Sequence, residues 1–423
     1  MDTVKLFELA LGLTSPWKIE AVNFDPKAAA GRGEVEIRLT FPRGSRFACP
    51  QCLGPCPVHD TSERRWRHLN LFQYQTYIVA PLPRTDCPEH GVLTIAGVSW
   101  AREGSGFTLL FEAFVMLVAP EMPMAAVARM TGEHDTRLWR LVSGHVEQAR
   151  ESVDMTGVKE LVVDETSRAR GHDYVSLFVE PGEEKARVLF VTDGRDNTTF
   201  QAFCSDLAAH GGDPALVTDV CMDMSEAFQK GAAENLPNAA VTFDRFHVMK
   251  LVGEGVDSVR RLERVTQPAL KNSRYSFLKN PENLTGTQFE RLLRLSELNL
   301  KTMKAYQMRL NIQEVWRQPG IRAAGKLLRE WCGWVRRAAR PTKGEKTSGL
   351  EPMVKVATTI QEKIKGILNY FRRRLTSGVI EGINSMVQAA RARARGYRNS
   401  ETFKTMIYLI AGRLQFNLPS LTH

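Results

Sequence analysis

Three acidic residues stand where carboxylates could hold metal ions. Asp164 ends the apolar run LVVD, Asp223 follows VTDVCM, and Glu381 belongs to the predicted helix containing SGVIEGINS. Hard oxygen ligands suit Mg2+, and a pair of divalent ions can activate an attacking hydroxyl and stabilise the leaving oxygen in phosphodiester chemistry. We therefore predict that these three residues bind two Mg2+ ions, for which Mn2+ could substitute.

Spacing alone leaves two alternatives to this metal site. Asp219 lies four residues before Asp223 and shares its strand face, so it rivals Asp223 as the second ligand. We prefer Asp223 because sites usually open at the ends of strands. The three acids would also fit ordinary positions at strand ends and on a helix surface. In the nearby segment DRFH, His247 could contact a phosphate or serve as a structural histidine, and Asp244 could support the site.

A second group of residues has the spacing of zinc ligands. Cys49 and Cys52 form a C-x2-C pair, and Cys87 and His90 form a C-x2-H pair, which together suit tetrahedral Zn2+. The gap of about 34 residues between the pairs predicts an intervening hairpin. A further C-x2-H pair, Cys56 and His59, could replace one of them.

Charge and composition favour a nucleic-acid partner. The net charge is +10 and the pI is near 9.3, with 57 basic residues distributed among 47 acidic ones. Such an excess favours a polyanion, with DNA ahead of a membrane surface. No apolar run reaches the roughly 18 residues that a membrane span requires, and the N-terminus has no secretion signature. Clustered cysteines without a signal peptide indicate metal binding in a reducing compartment.

Basic side chains at three places are candidate DNA contacts. Near the zinc ligands, Arg64, Arg65 and Arg67 surround a tryptophan, although a solvated basic face would look the same. The segment MAAVARMTGEHDTRLWRLVSG predicts two helices joined by a tight turn, either a helix-turn-helix or an ordinary helical hairpin. Arg137 and Arg140 lie on its second helix, from which DNA contacts would come.

A further basic group ends the predicted helix of Glu381. Arg391, Arg395 and Arg398 could hold phosphates beside the carboxylates, whereas Arg393 points to another side of the helix. Three tryptophans in the preceding helical region could stack on an extruded base, but core positions are the more common use of such residues. These are Trp316, Trp331 and Trp334.

The elements that must position these residues predict a multidomain α+β protein. Three strands in close succession, followed by strand, helix and strand, require a mixed sheet of the ribonuclease-H-like type, and an all-helical insertion precedes Glu381. The predicted domains are an N-terminal segment (1–45), a zinc-binding module (46–100), a helix-turn-helix region (101–152), the catalytic core in two parts (153–250 and 376–423) and the helical insertion (251–375).

Several segments resemble the DDE transposases of bacterial insertion sequences, in particular the ISL-three family. The main matching segments are VDETSRARGHDYVSLF, VCMDMSEAF, PNAAVTFDRFHVMK and EGINSMVQAARARARGYRNSETF. Upstream segments support them: CPQC, WRHL, CPEHGV and WAREGSGFT. The resemblance assigns the family's catalytic acids to Asp164, Asp223 and Glu381, and it implies a zinc-binding N-terminus.

The resemblance also implies an activity and partners. We expect an enzyme of the bacterial cytoplasm, associated with the nucleoid, that binds the terminal inverted repeats of an insertion sequence. It would cleave DNA strands with Mg2+ and join the freed 3′ hydroxyls to target DNA. A homodimer is expected because two ends must be brought together. The alternatives are a structure-specific nuclease of the same fold, and a zinc and helix-turn-helix transcription regulator without enzymatic activity.

Overall fold

The computed structural model divides the chain into two compact units. The first comprises Met1–Glu151, Ala389–Ile410 and Leu414–His423, and the second comprises Ser152–Gln388 and Ala411–Arg413. The structure describes residues 3–31, 33–169, 171, 173–182, 186–341, 346–373, 375 and 378–421.

A six-stranded sheet forms the first half of the first unit. Its strands are β1 (Lys18–Asp25), β2 (Glu34–Thr40), β3 (Arg46–Ala48), β4 (Pro55–Leu71), β5 (Tyr74–Cys87) and β6 (Gly91–Thr94). The order is β1-β2-β5-β4-β3, with β6 paired to β5. Strands β4 and β5 form the long antiparallel hairpin predicted between the two pairs of zinc ligands. In β2 the alternating sequence EVEIRLT buries Val35, Ile37 and Leu39 against the core.

Helices complete the first unit. They are α1 (Thr3–Ala10), α2 (Ala28–Gly31), α3 (Leu109–Val118), α4 (Met124–Thr131) and α5 (Asp135–Glu151), followed by the end of α15 (Gly378–Ala394) and by α16 (Ser400–Ala411). We expected the last two helices to belong wholly to the catalytic core. Instead, Arg393 donates two hydrogen bonds of 2.9 Å to the carbonyls of Pro120 and Glu121, and Tyr397 packs against Trp139 of α5.

A five-stranded mixed sheet is the centre of the second unit. Its strands are β7 (Glu160–Ala169), β8 (Asp173–Glu180), β9 (Arg187–Asp193), β10 (Asp219–Met222) and β11 (Ala240–Phe243), in the order β11-β10-β7-β8-β9. Strands β7, β8 and β9 are antiparallel, whereas β10 and β11 run parallel to β7. Helices α6 (Thr198–Ala209) and α7 (Glu226–Asn235) connect the later strands. Phe200 and Phe203 of α6 pack against Phe178 of the sheet, and Phe228 of α7 packs against Phe200.

A helical region follows β11. Its helices are α8 (Arg245–Glu263), α9 (Arg274–Leu278), α10 (Gly286–Ser296), α11 (Lys301–Ile312), α12 (Ile321–Ala338), α13 (Glu351–Glu362) and α14 (Ile364–Arg373). Among the described residues this region contains no strand, as predicted, although its first helix begins six residues before the predicted boundary. The core positions predicted for the tryptophans are confirmed: Trp331 is buried and donates to the carbonyl of Met308 at 2.9 Å, Trp316 is buried, and Trp334 packs against the same core. No helix in the described part of the chain is long and apolar enough to span a membrane.

Candidate metal centres and DNA-binding surface

Strand register brings two of the predicted acids together. Strands β7 and β10 are parallel, and Cys221 lies beside Val162 in their pairing. Continuing this register by two residues puts Asp223, the residue after β10, beside Asp164 in the middle of β7. The sequence predicted that Asp164 would close its strand, but β7 continues past it to Ala169 through its pairing with β8. The backbone N–H of Ser225 donates to Asp223 Oδ1 at 2.8 Å, which holds this carboxylate in the turn before α7.

Asp219 lies at the other end of β10. It pairs with Glu160 at the start of β7, and its Oδ2 accepts a hydrogen bond of 2.7 Å from the hydroxyl of Thr218. Since consecutive strand residues are about 3.3 Å apart, roughly 13 Å of backbone separates Asp219 from the position of Asp223. The geometry therefore favours Asp223 over Asp219 as the neighbour of Asp164.

A third carboxylate joins this edge of the sheet. Asp244 follows β11 directly, and its N–H donates to the carbonyl of Met222 at 3.1 Å. The side chain is buried and caps α8 by accepting a hydrogen bond of 2.8 Å from the N–H of Phe246. Because Asp244 is buried and caps α8, its carboxylate is held in place near Asp164 and Asp223, where it can support a metal site.

The electrostatics of this cluster favour a cation. Burial raises the pKa of Asp164, and the charges of Asp223 and Asp244 raise it further, whereas the N–H of Glu165 and the charge of His247 lower it. Burial and the charge of Asp223 also raise the pKa of Glu165 to about 7. The positive charges on Arg195 and Lys250 oppose that rise only in part. Crowded carboxylates with raised pKa values are a donor set that a divalent ion would neutralise.

Helix α15 is attached to the same strand. Asn384 Nδ2 donates to Asp164 Oδ2 at 2.9 Å, and Gln388 Nε2 donates to the hydroxyl of Thr166 at 2.8 Å. Glu381 is exposed in the first turn of α15, three residues before Asn384, so it lies on the helix face that approaches Asp164. Asn384 Oδ1 is buried and has no hydrogen-bond partner among the described residues. A metal-bound group is a natural partner for this oxygen.

The predicted zinc ligands form one cluster in the first unit. The ligand atoms of Cys49, Cys52, Cys87 and His90 all lie within 4.8 Å of one another. His90 Nδ1 is 3.8 Å from Cys49 Sγ and 3.5 Å from Cys87 Sγ. The N–H groups of Glu89 and His90 help to lower the pKa of Cys87 to about 7, which favours the thiolate that zinc requires.

The alternative pair does not replace either set of ligands. Cys56 is buried beside the cluster, but its Sγ lies 3.4 Å from the carbonyl of Gly54. His59 is half-exposed and contacts Asp60 at 3.2 Å. Neither residue belongs to the group of four mutually close ligands.

Helices α4 and α5 form a compact helical pair. Three residues join them, and Gly132 at the end of α4 adopts a φ of 74°, a left-handed conformation that suits glycine. Arg137 and Arg140 are exposed on the first two turns of α5. Arg137 is paired with Glu133 and lies over the ring of Phe107 at 4.6 Å.

Comparisons with known proteins agree with these three sites. A family described as a transposase matches residues 161–407, which is more than half of the chain. The helix-turn-helix domain of transposase family ISL3 matches residues 98–146, and the zinc-finger of transposase IS204/IS1001/IS1096/IS1165 matches residues 45–90. The chain belongs to the ISL3 family of transposases.

Two curated relatives extend this similarity over most of the chain. The transposase for insertion sequence element IS1001 of Bordetella parapertussis is 27% identical, over 86% of this chain and 88% of its own length. The transposase for insertion sequence element IS1557 of Mycobacterium tuberculosis is 25% identical over 99% of this chain and 98% of its own length. The predictions of a DNA transposase and of a helix-turn-helix are therefore confirmed, and the ligand cluster together with the zinc-finger match supports the predicted structural zinc.

One predicted DNA contact of the transposase is wrong. Arg67 is only 1% exposed, so its guanidinium cannot reach a phosphate. It donates to the carbonyl of Thr131 at 2.7 Å and to that of Thr76 at 3.2 Å, and it lies 3.6 Å from Glu133. Because Thr131 ends α4 and Glu133 belongs to the turn, Arg67 connects hairpin β4–β5 to the helix-turn-helix.

The other predicted contacts remain accessible. Arg64 and Arg65 are exposed on β4, where Arg65 lies over the ring of Tyr77 at 3.6 Å and pairs with Glu34. At the end of α15 and beyond it, Arg391 is partly exposed, and Arg395 and Arg398 are exposed. In the second unit, His247 is partly exposed in the first turn of α8.

Sequence reasoning missed part of the acidic cluster. Glu165 follows Asp164 directly, and no spacing rule distinguished it from a surface acid before its burial was known. Arg195 and Lys250 are far from Glu165 along the chain. Their charges lower its pKa because β9 ends, and α8 begins, near the same edge of the sheet. The hydrogen bond from Asn384 to Asp164 was also missed, because 220 residues separate the two in the chain.

Proposed function

We propose that the transposase cleaves DNA strands at the ends of its insertion sequence and transfers them to target DNA with Mg2+. The observation that carries this proposal is the register of the adjacent parallel strands β7 and β10, which puts Asp223 beside Asp164, with the helix of Glu381 attached at Asp164. A sheet of three antiparallel strands extended by two parallel ones supports a ribonuclease-H-like fold for this domain.

Asp164, Asp223 and Glu381 would hold the Mg2+ ions. Bound there, the ions would supply an activated nucleophile and stabilise charge on the phosphate. Asn384 orients Asp164 by donating a hydrogen bond to its Oδ2. The hydrogen bond from Ser225 restrains Asp223 in a similar way. His247, whose charge acts on Asp164, would contact a DNA phosphate.

We assign recognition of the terminal inverted repeats to the first unit. Arg137 and Arg140 are exposed on α5 and would contact bases or phosphates in the groove. Arg64 and Arg65, exposed on the zinc-bearing hairpin, would add phosphate contacts. The partly exposed or exposed arginines after Glu381 would hold further phosphates; they are Arg391, Arg395 and Arg398. A homodimer in the bacterial cytoplasm would bring two element ends together.

One assay tests this function. Purified protein is incubated with element-end DNA, a target plasmid and Mg2+, in parallel with the Asp164→Ala variant. We expect joined products from the wild-type protein and none from the variant. Cleavage without joining would indicate a nuclease, and tight binding without metal-dependent chemistry would indicate a transcription regulator. Either of these results would overturn the proposal.

A further inference from the structure

A groove of about 960 Å3 runs along one side of α8 in the second unit. Residues from α8, α9 and α11 line it, and those used most below are Phe246, Lys250, Asp257, Arg260, Arg261 and Arg274. On α8 the lining residues recur at intervals of three or four, so they form a single stripe on one helix face. From Phe246 to Arg261 this stripe is about 22 Å long, at 1.5 Å per residue.

The lining of this α8 groove carries a surplus of positive charge. Three arginines surround the single carboxylate of Asp257: Arg260 at 2.8 Å, Arg261 at 3.5 Å and Arg274 at 3.6 Å. Arg261 and Arg274 are 63% and 57% exposed, so their guanidiniums remain accessible from the groove. Glu254 also lines the groove, so two carboxylates face five basic side chains, Lys250 and four arginines, which leaves positive charge for an anionic ligand.

The groove begins beside Asp244 of the acidic cluster, whose carboxylate accepts a hydrogen bond of 2.8 Å from the N–H of Phe246. Phe246 and Lys250 line it, and they lie on either side of His247 in the chain. The charge of His247 acts on Asp164, and that of Lys250 acts on Glu165. A DNA strand with one nucleotide bound at Phe246 would therefore have the neighbouring phosphate close to the carboxylates of the acidic cluster.

Size and side-chain chemistry favour a single strand of DNA over a duplex. The volume is that of a pocket for a small ligand, roughly 300–1,000 Å3, into which a few nucleotides fit and a duplex does not. Phe246 is 60% exposed, so its ring, which lies 5.6 Å from the ring of His247, is accessible to a base. Proteins that bind single strands combine a positively charged groove with exposed aromatic rings on which bases stack.

We propose that the α8 groove binds a short single-stranded DNA segment next to the cleaved phosphate, with one base stacked on Phe246 and phosphates on Arg261 and Arg274. This proposal rests on the proposed function of the acidic cluster. It adds a binding site for an unpaired strand, which becomes available when an element end is cut or frayed.

The test measures binding without chemistry. Full-length zinc-loaded protein is titrated without added Mg2+ and without chelator, so that the zinc module stays intact. The ligands are labelled element-end duplexes, either blunt or carrying an oligothymidine overhang of about six nucleotides on one strand or the other. We expect one overhang to bind about 5- to 150-fold more tightly than the blunt end, the range that one stacked base provides. Phe246→Leu should remove this preference, Phe246→Trp should retain it, and an abasic overhang should bind like the blunt end.

Matched controls separate the groove from general DNA binding. Phe289→Leu changes an exposed phenylalanine on α10 outside the groove lining, and it should keep the full preference. Arg261→Gln combined with Arg274→Gln should lower the salt dependence of overhang binding by about 0.7 per lost contact, whereas Arg294→Gln should not. The proposal is overturned if neither overhang is preferred, or if Phe246→Leu keeps the preference. Binding is measured without Mg2+ and therefore without strand cleavage. If the wild-type protein showed no overhang preference but still transferred strands in the Mg2+ assay, the groove would be rejected while the proposed function would stand.

Discussion

Replacing Arg67 by methionine should destabilise the first unit without removing a DNA contact. Methionine fills much of the same space, but it leaves the carbonyl oxygens of Thr131 and Thr76 without their donor. It also removes one of the two cations near Glu133, whose side chain is 5% exposed. Breaking a buried charge pair costs about 3 to 5 kcal/mol, and the lower value applies here because Arg137 still pairs with Glu133.

A loss of about 3 kcal/mol should be visible in thermal unfolding. For a unit of roughly 180 residues, each kcal/mol lowers the Tm by about 2–4 °C, so we expect a decrease of about 6–12 °C in the transition of the first unit. Circular dichroism and calorimetry of the Arg67→Met protein would measure it, with Arg64→Gln as a control on the exposed side of the same strand.

DNA binding at several salt concentrations supplies the second measurement. Below its transition, the Arg67→Met protein should keep the wild-type slope of log affinity against log salt. Arg140→Gln, which changes an exposed arginine on α5, should reduce this slope by about 1 with little change in Tm. An unchanged Tm together with a reduced slope for Arg67→Met would refute the structural role of this arginine.

Three further predictions concern the two metal centres. Cys52→Ser should lose the zinc measured by metal analysis, whereas Cys56→Ser, just outside the ligand group, should retain it; equal zinc contents would contradict the assignment. Asn384→Ala should slow DNA cleavage about tenfold at unchanged end binding, because a hydrogen bond to a charged group is lost; the exposed neighbour Ser385→Ala supplies the control, and equal rates would count against the role. In metal-free protein, the pKa of Glu165 rises from 4.5 to about 7 on folding. Stability should therefore fall by about 3 kcal/mol as the pH rises through that interval, and urea unfolding of Glu165→Gln should lack this decrease.

Elements with strong local patterns could be predicted from the sequence. The alternation in EVEIRLT, the apolar runs before Asp164 and Asp223, and the cysteine spacing each depend on a few neighbouring residues, and the structure contains the corresponding strands and ligand cluster. Such features need no knowledge of the distant chain.

Other features depend on contacts between distant segments. The choice between Asp219 and Asp223 required the register of β10 against β7, which no local pattern contains. The local sequence does not distinguish Arg67 from its exposed neighbours Arg64 and Arg65. Arg67 is buried by contacts with the end of α4 and the turn that follows it, which lie more than 60 residues further along the chain. In the same way, residues 389–410 pack with the first unit through contacts that span more than 250 residues, such as that of Ser143 with Thr405.

The most direct test of the acidic site compares two aspartates on the same strand. Asp223→Asn and Asp219→Asn remove the same charge from the two ends of β10, so strand-transfer yield on element-end DNA with Mg2+ can be compared between closely matched proteins. We expect Asp223→Asn to abolish joined products while Asp219→Asn retains them. Full activity of Asp223→Asn, with loss of activity in a folded Asp219→Asn protein, would contradict the assignment of the site.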